Sequence, residues 1–160
     1  MPQFIDLIDG ETLVRHTHSI TLWREKWELL TLPAPLHWTV LPFTTESAAG
    51  VSTACGVYAF IIQPQTPLNL GTAYLMYVGK SDRPLRSRFR EYLRERNSDS
   101  IRPKLLRILP LYGPHLFFAF APAPEGTTPR ELEQAILSAF IPPGNDQIDA
   151  QVNRIRKAFL

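Results

Sequence analysis

Gly56-Val57-Tyr58-Ala59-Phe60-Ile61-Ile62 and Ala73-Tyr74-Leu75-Met76-Tyr77-Val78-Gly79 are the stretches on which the fold turns. Both are rich in β-branched and aromatic residues, and the ten residues between them, QPQTPLNLGT, carry the Pro, Asn and Gly of a turn region. A β-hairpin is predicted. Beyond it, LRSRFREYLRER places Leu85, Phe89, Tyr92 and Leu93 at i, i+4, i+7 and i+8, one apolar helix face on an otherwise basic helix. A short helix is expected around Pro103 to Leu109, and His115 to Ala121, rich in Phe and bounded by Pro114 and Pro122, is a third strand. Thr128-Pro129-Arg130-Glu131 reads as a capping box with proline at the first helical position, so a helix runs from there to about Phe140, where Pro142-Pro143-Gly144 stops it. A last helix from about Gln147 presents Ile148, Val152, Ile155 and Phe159 on one face.

Toward the N-terminus, Ser19 to Leu32 carries an apolar stripe (Leu22, Trp23, Trp27, Leu29, Leu30) ended by Pro33 and Pro35, which predicts a helix. The Pro-bearing stretch up to Gly50 reads as a loop, with room for a short strand at His37 to Leu41. The order of elements is that of an α+β chain: a small sheet with helices around it. Residues 1–50 form a helical N-terminal extension, and residues 51–160 the main domain with its C-terminal helix.

A chain of 160 residues is about one domain's worth and buries roughly 70% of its unfolded surface, so no metal or disulfide staple is required. Cys55 is the single cysteine and cannot pair internally, which fits a reducing, cytoplasmic setting. It reads as a small core residue beside the first strand. The start, MPQFIDLIDGE, carries acids where an export signal needs bases. The two stretches without Asp, Glu, Lys or Arg, Ser47 to Gly79 and Ile108 to Pro124, are broken by Pro and Gly, which argues against a membrane span.

The net charge of +2 conceals an uneven distribution. Residues 80–107 hold ten basic and four acidic side chains, whereas residues 1–50 hold three basic and six acidic. The basic residues are mostly arginine, whose planar fork pairs bidentately with phosphate oxygens; a solvated basic helix is the alternative. In the capping-box helix, Glu133 falls at about 100° from Leu132 and so faces the apolar side, while Glu131 faces solvent. A carboxylate there must be paired with an Arg, bind a metal or serve as an acid–base group. Arg88 and Tyr92, one helical turn apart, share a flank of the apolar stripe. They make either a core margin or part of a site. Tyr58 and Tyr77 are likewise half-buried strand aromatics or site residues. His16 and His18 lack a third metal ligand, and neither a phosphate-binding Gly loop nor a Ser-His-Asp spacing is evident.

Taken in order, Gly56-Val57-Tyr58, Tyr77-Val78-Gly79-Lys80, Arg88 with Tyr92, Glu133 and Asn145 resemble the GIY-YIG nuclease domain family over about residues 55–146. Tyr92 resembles the excision-repair branch, where homing and restriction members often carry His. The eighteen residues between Tyr58 and Tyr77 exceed the family's usual hairpin, and Arg88 lies nine residues after Gly79 where eight is commoner. Asp82-Arg83-Pro84 can hold the extra residue; Arg86 is the alternative occupant of the Arg88 place.

The resemblance implies a small three-stranded, mostly antiparallel sheet flanked by helices and a DNA endonuclease that hydrolyses phosphodiester bonds. It implies that Glu133 holds one Mg²⁺ or Mn²⁺ and that Tyr58 orients or deprotonates the attacking water. Lys80 and Arg88 would stabilise the scissile phosphate, Tyr77 and Tyr92 complete the hydrogen-bond shell, and Gly56, Gly79 and Asn145 support the site. Arg83, Arg86, Arg90, Arg94 and Arg96 are the expected DNA contacts. The pathway could be restriction, phage defence, repair or mobile-element spread. The rival is a non-catalytic subunit that keeps the fold for DNA binding or protein interaction. Residues 1–50, acidic and carrying Trp23, Trp27 and Trp38, are expected to meet a partner protein or a second copy.

Overall fold

The computed structural model describes residues 10–68, 70–145, 154 and 158. Most of the helix expected from Gln147 onward lies outside these residues, although Arg154 and Ala158 are helical. The chain is α+β. The predicted hairpin forms as β2 (Gly56–Ile62) and β3 (Tyr74–Ser81), paired antiparallel with Tyr58 opposite Gly79 and Phe60 opposite Tyr77. β4 (Leu116–Pro122) lies on the other side of β2, placing Tyr58 opposite Phe120. A fourth strand, β1 (Thr39–Pro42), pairs with β4, so the order is β1-β4-β2-β3 and every pairing is antiparallel.

The sheet therefore has four strands, not three. β1 carries little alternation, being mostly exposed, and it ends in Pro42, a residue that a sheet accepts at its edge. β1 and the buried Phe43 lie within residues 1–50, so the stretch from Thr39 onward belongs to the packed sheet. The helix expected over Ser19 to Leu32 is shorter: α1 (Gly10–His16) precedes it and only Arg24–Glu28 forms α2. Leu22 and Leu29 of the supposed stripe are exposed. Ahead of α2, Thr21 bridges Ile141, and Trp27 within α2 stacks on Phe140. A helix of five residues is marginal by itself, and the Thr21 bridge holds the chain before it extended.

The two faces of the sheet differ in side-chain size. Tyr58, Phe60, Phe118 and Phe120 point to one face, where they pack with Phe43, with Phe89 and Tyr92 of α3 (Leu85–Arg96), and with Leu105 of α4 (Pro103–Leu106). Ring centres there lie 5.0 Å apart for Phe89–Phe118 and 5.3 Å for Tyr58–Phe118, the range of favourable aromatic contact. Val57, Ala59, Ala119 and Ala121 point to the other face, where their small size admits Leu132 and Ile136 of α5 (Pro129–Ala139). The α5 capping box forms as predicted: Glu131 N–H donates to Thr128 Oγ1 at 3.2 Å and Thr128 N–H donates to Glu131 Oε2 at 3.0 Å. This fixes the helix start and with it the register of Glu133. Among the described residues, no helix is long and apolar enough to cross a membrane.

Candidate active site

The site begins with two glycines. A Cβ at Gly79 would fall 2.5 Å from both Cζ and Oη of Tyr58, so the tyrosine ring can lie across β3 only because residue 79 has no side chain. At Gly56 the same atom would fall 2.2 Å from the Ala121 carbonyl, closing off the approach of β4. The Tyr58 hydroxyl is thereby carried to the β3 side of the sheet. There it lies 2.6 Å from the hydroxyl of the fully buried Tyr92 and accepts a hydrogen bond from Arg88 Nε at 3.2 Å. Arg88 and Tyr92, one turn apart on α3, thus both reach Tyr58. Arg88 Nη1 also donates to Glu91 Oε2 at 2.9 Å.

Asn145 acts from the sheet edge. Its carboxamide accepts from Val78 N–H at 2.9 Å and donates to the Val78 carbonyl at 2.7 Å, copying the pairing of a neighbouring strand. Gly144 N–H donates to the Met76 carbonyl at 2.8 Å, so the Pro-Pro-Gly-Asn stop of α5 is bound along β3.

These elements enclose a cleft of about 320 Å³ lined by Tyr58, Tyr77, Lys80, Arg88, Glu133 and Asn145, with Arg102 and Lys104 completing the wall. Tyr92 lies directly behind Tyr58. Four cationic side chains face one carboxylate. Glu133 is half-buried and has no cation within ion-pair distance among the described residues, so a Glu–Arg pair is not formed. Burial holds its carboxyl above the usual carboxylate range, Asp82 adding to the effect and Lys80 and Lys104 opposing it. The Lys80 ammonium is paired with Asp82. The phenol of Tyr58 is pushed well above its ordinary range, first by burial and then by Tyr92 and Tyr77, against the pull of Arg88. Tyr77 rises for the same leading reason, burial, with Tyr92 second.

The other arginines fall into two groups. Arg86 donates to the carbonyls of Val51 and Ala49, each at 2.9 Å, so Arg88 and not Arg86 occupies the cleft. Arg96 donates to the Phe43 carbonyl at 2.9 Å and covers the Phe43 ring. Both guanidiniums hold the segment that follows β1. Arg83 is exposed and pairs with Glu91 at 2.8 Å, while Arg90 and Arg94 are exposed without an ion pair among the described residues.

Arg102 and Lys104 were not singled out from the sequence. Their signal was faint: Arg102 lies seven residues after Glu95, and its guanidinium takes that carboxylate with Nε and Nη2 at 2.8 and 2.6 Å. Only the fold of the connection after α3 brings it to the cleft. Among the described residues, no group of three or more His, Cys, Asp or Glu is placed to hold a metal ion. His18 Nε2 lies 2.7 Å from the Tyr112 hydroxyl, and His16 stands edge-on to the same ring. No family model, no curated protein and no solved structure matches the chain.

Proposed function

We propose that this protein is a divalent-metal-dependent DNA endonuclease that hydrolyses phosphodiester bonds at the cleft between β3, α3 and α5, with the GIY-YIG arrangement that its motifs resemble. The observation that carries the reading is the convergence of Tyr58, Tyr77, Lys80, Arg88 and Glu133, from four separate elements or their ends, on one small cleft. Such an assembly suits an anionic substrate: cations for the charge that builds on phosphate oxygens, phenols for orientation, one carboxylate for a metal.

Glu133 fits Mg²⁺ or Mn²⁺ in its donor chemistry. It is a hard oxygen ligand without an ion-pair partner among the described residues, and such ions accept one carboxylate when water and phosphate oxygens complete the shell. The bound ion would supply Lewis-acid charge at the phosphate and lower the barrier to ionising water. Because no group of three or more His, Cys, Asp or Glu is placed to hold a metal among the described residues, water and the substrate's own oxygens would complete the shell.

Tyr58, whose phenol burial pushes well above its ordinary range, orients the attacking water, or deprotonates it with the help of the nearby cations. Arg88, held against Tyr58 and Glu91, presents its charge at a fixed place, as transition-state stabilisation without reorganisation requires. Lys80 adds a second cation from β3. The reading is tested by incubating the purified protein with supercoiled plasmid and single-stranded DNA in Mg²⁺, Mn²⁺ or chelator. Cleavage that needs the metal is expected; no cleavage in either metal sinks the hydrolytic reading.

A further inference from the structure

The cleft is lined by four cationic side chains, more than one phosphodiester can contact; Lys80, Arg88 and Arg102 are held by Asp82, Glu91 and Glu95, while Lys104 has no carboxylate partner among the described residues. Lys80 and Arg88 stand beside Tyr58, while Arg102 and Lys104 form the wall contributed by the segment after α3. The Arg88 and Arg102 guanidiniums each lie 4.9 Å from the Tyr92 ring centre, so they are separated by no more than twice that distance. Neighbouring phosphates on one strand fall within this span. Glu95 holds Arg102 Nε, Nη2 and backbone N–H at once, which fixes the guanidinium plane and leaves Nη1 for a ligand. The Lys104 ammonium stands 5.6 Å from the Tyr77 ring centre and has no carboxylate partner among the described residues. Both cations are therefore seated on aromatic rings of the site itself, with little freedom to lose on binding.

We propose that Arg102 and Lys104 form a second phosphate subsite, which seats the phosphate next to the scissile one on the same strand. The proposal rests on the phosphodiester reading of the cleft and narrows it: the ligand is a strand with at least two consecutive phosphates, not a mononucleotide or an isolated diester. Arg102 and Lys104 position the strand; Lys80 and Arg88 act on the bond that breaks.

The test is binding, by fluorescence anisotropy in chelator, of labelled oligothymidylates with one, two and four phosphodiester links. Wild-type affinity should rise at least about tenfold from one link to two. In Lys104→Gln, and more so in Arg102→Gln/Lys104→Gln, that rise should be lost while one-link binding stays within about twofold, and the salt slope should fall by about 0.7 per phosphate contact removed. Lys104→Gln breaks no ion pair and so guards against a folding defect in the double variant. No rise in the wild type, a rise retained in the double variant, or equal loss of one-link binding would each overturn the subsite. A wild type that shows the rise but cuts no DNA in Mg²⁺ or Mn²⁺ leaves the subsite standing and removes the nuclease reading alone.

Discussion

A methyl group at residue 79 would sit 2.5 Å from the ring and hydroxyl of Tyr58, and this single contact links a sequence motif to the geometry of the site. Gly79→Ala should force either β3 or the Tyr58 ring to move, costing about 1–3 kcal/mol in a close-packed site and parting Tyr58 from Tyr92. Thermal unfolding and near-ultraviolet circular dichroism read both effects, and an unchanged melting temperature with intact cleavage would contradict them. Glu133 carries the opposite balance. Because burial raises its carboxyl above the unfolded value, its ionised form costs stability at neutral pH, and the cost fades as pH falls below both values. Glu133→Gln should therefore raise Tm by about 1–3 °C at pH 7, an advantage absent near pH 3, while abolishing the proposed metal-dependent cleavage. A lower Tm at pH 7 would show that the carboxylate has a stabilising partner.

At the scale of elements, the α5 end and the β3 edge are joined by Asn145. Asn145→Ala leaves the Val78 N–H and C=O without those partners and should cost about 1–3 kcal/mol, with faster hydrogen exchange at Val78. Protection unchanged at Val78 would contradict this. The α3 arginines divide by the carbonyls they reach: Arg86→Ala and Arg96→Ala should lower Tm, whereas Arg90→Ala and Arg94→Ala should leave Tm alone and flatten the salt dependence of DNA binding. Equal salt effects from all four would contradict that division. The distinction was invisible in the sequence, where all four are basic residues on one helix, because it depends on where residues 43–51 pass. The hairpin, α3 and the start of α5 were legible because their signals are local: two runs of β-branched and aromatic residues around a Pro-Asn-Gly turn region, a helical stripe, a capping box. β1 was legible only as room for a short strand at His37 to Leu41, its pairing being set by Phe117 to Phe120, and the short α2 was not legible, since a broken helix is decided by distant partners, here Phe140 with Ile141. Glu133, Arg88 and Tyr92 could be placed from helical spacing, while Arg102, at the start of α4, and Lys104, within it, lie on a helix of four residues, too short to show a period.

Among the described residues, a four-stranded sheet carries large aromatics on one face and small residues on the other, and the cleft opens where α3, α5 and the edge strand β3 meet. Removing residues 1–45 should unfold the protein, because it takes away β1 and Phe43, which Arg96 and the Phe60 and Phe89 rings contact. A soluble fragment with native circular dichroism would contradict this. The proposed activity is tested most directly by cleavage of supercoiled plasmid in Mg²⁺ by three folded proteins side by side: wild type, Glu133→Gln and Glu131→Gln. Wild type and Glu131→Gln should nick the plasmid at comparable rates, stopped by chelator, and Glu133→Gln should be slower by about a hundredfold or more. Equal cleavage by wild type and Glu133→Gln would contradict the role given to Glu133, and no metal-dependent cleavage by the wild type would contradict the nuclease itself.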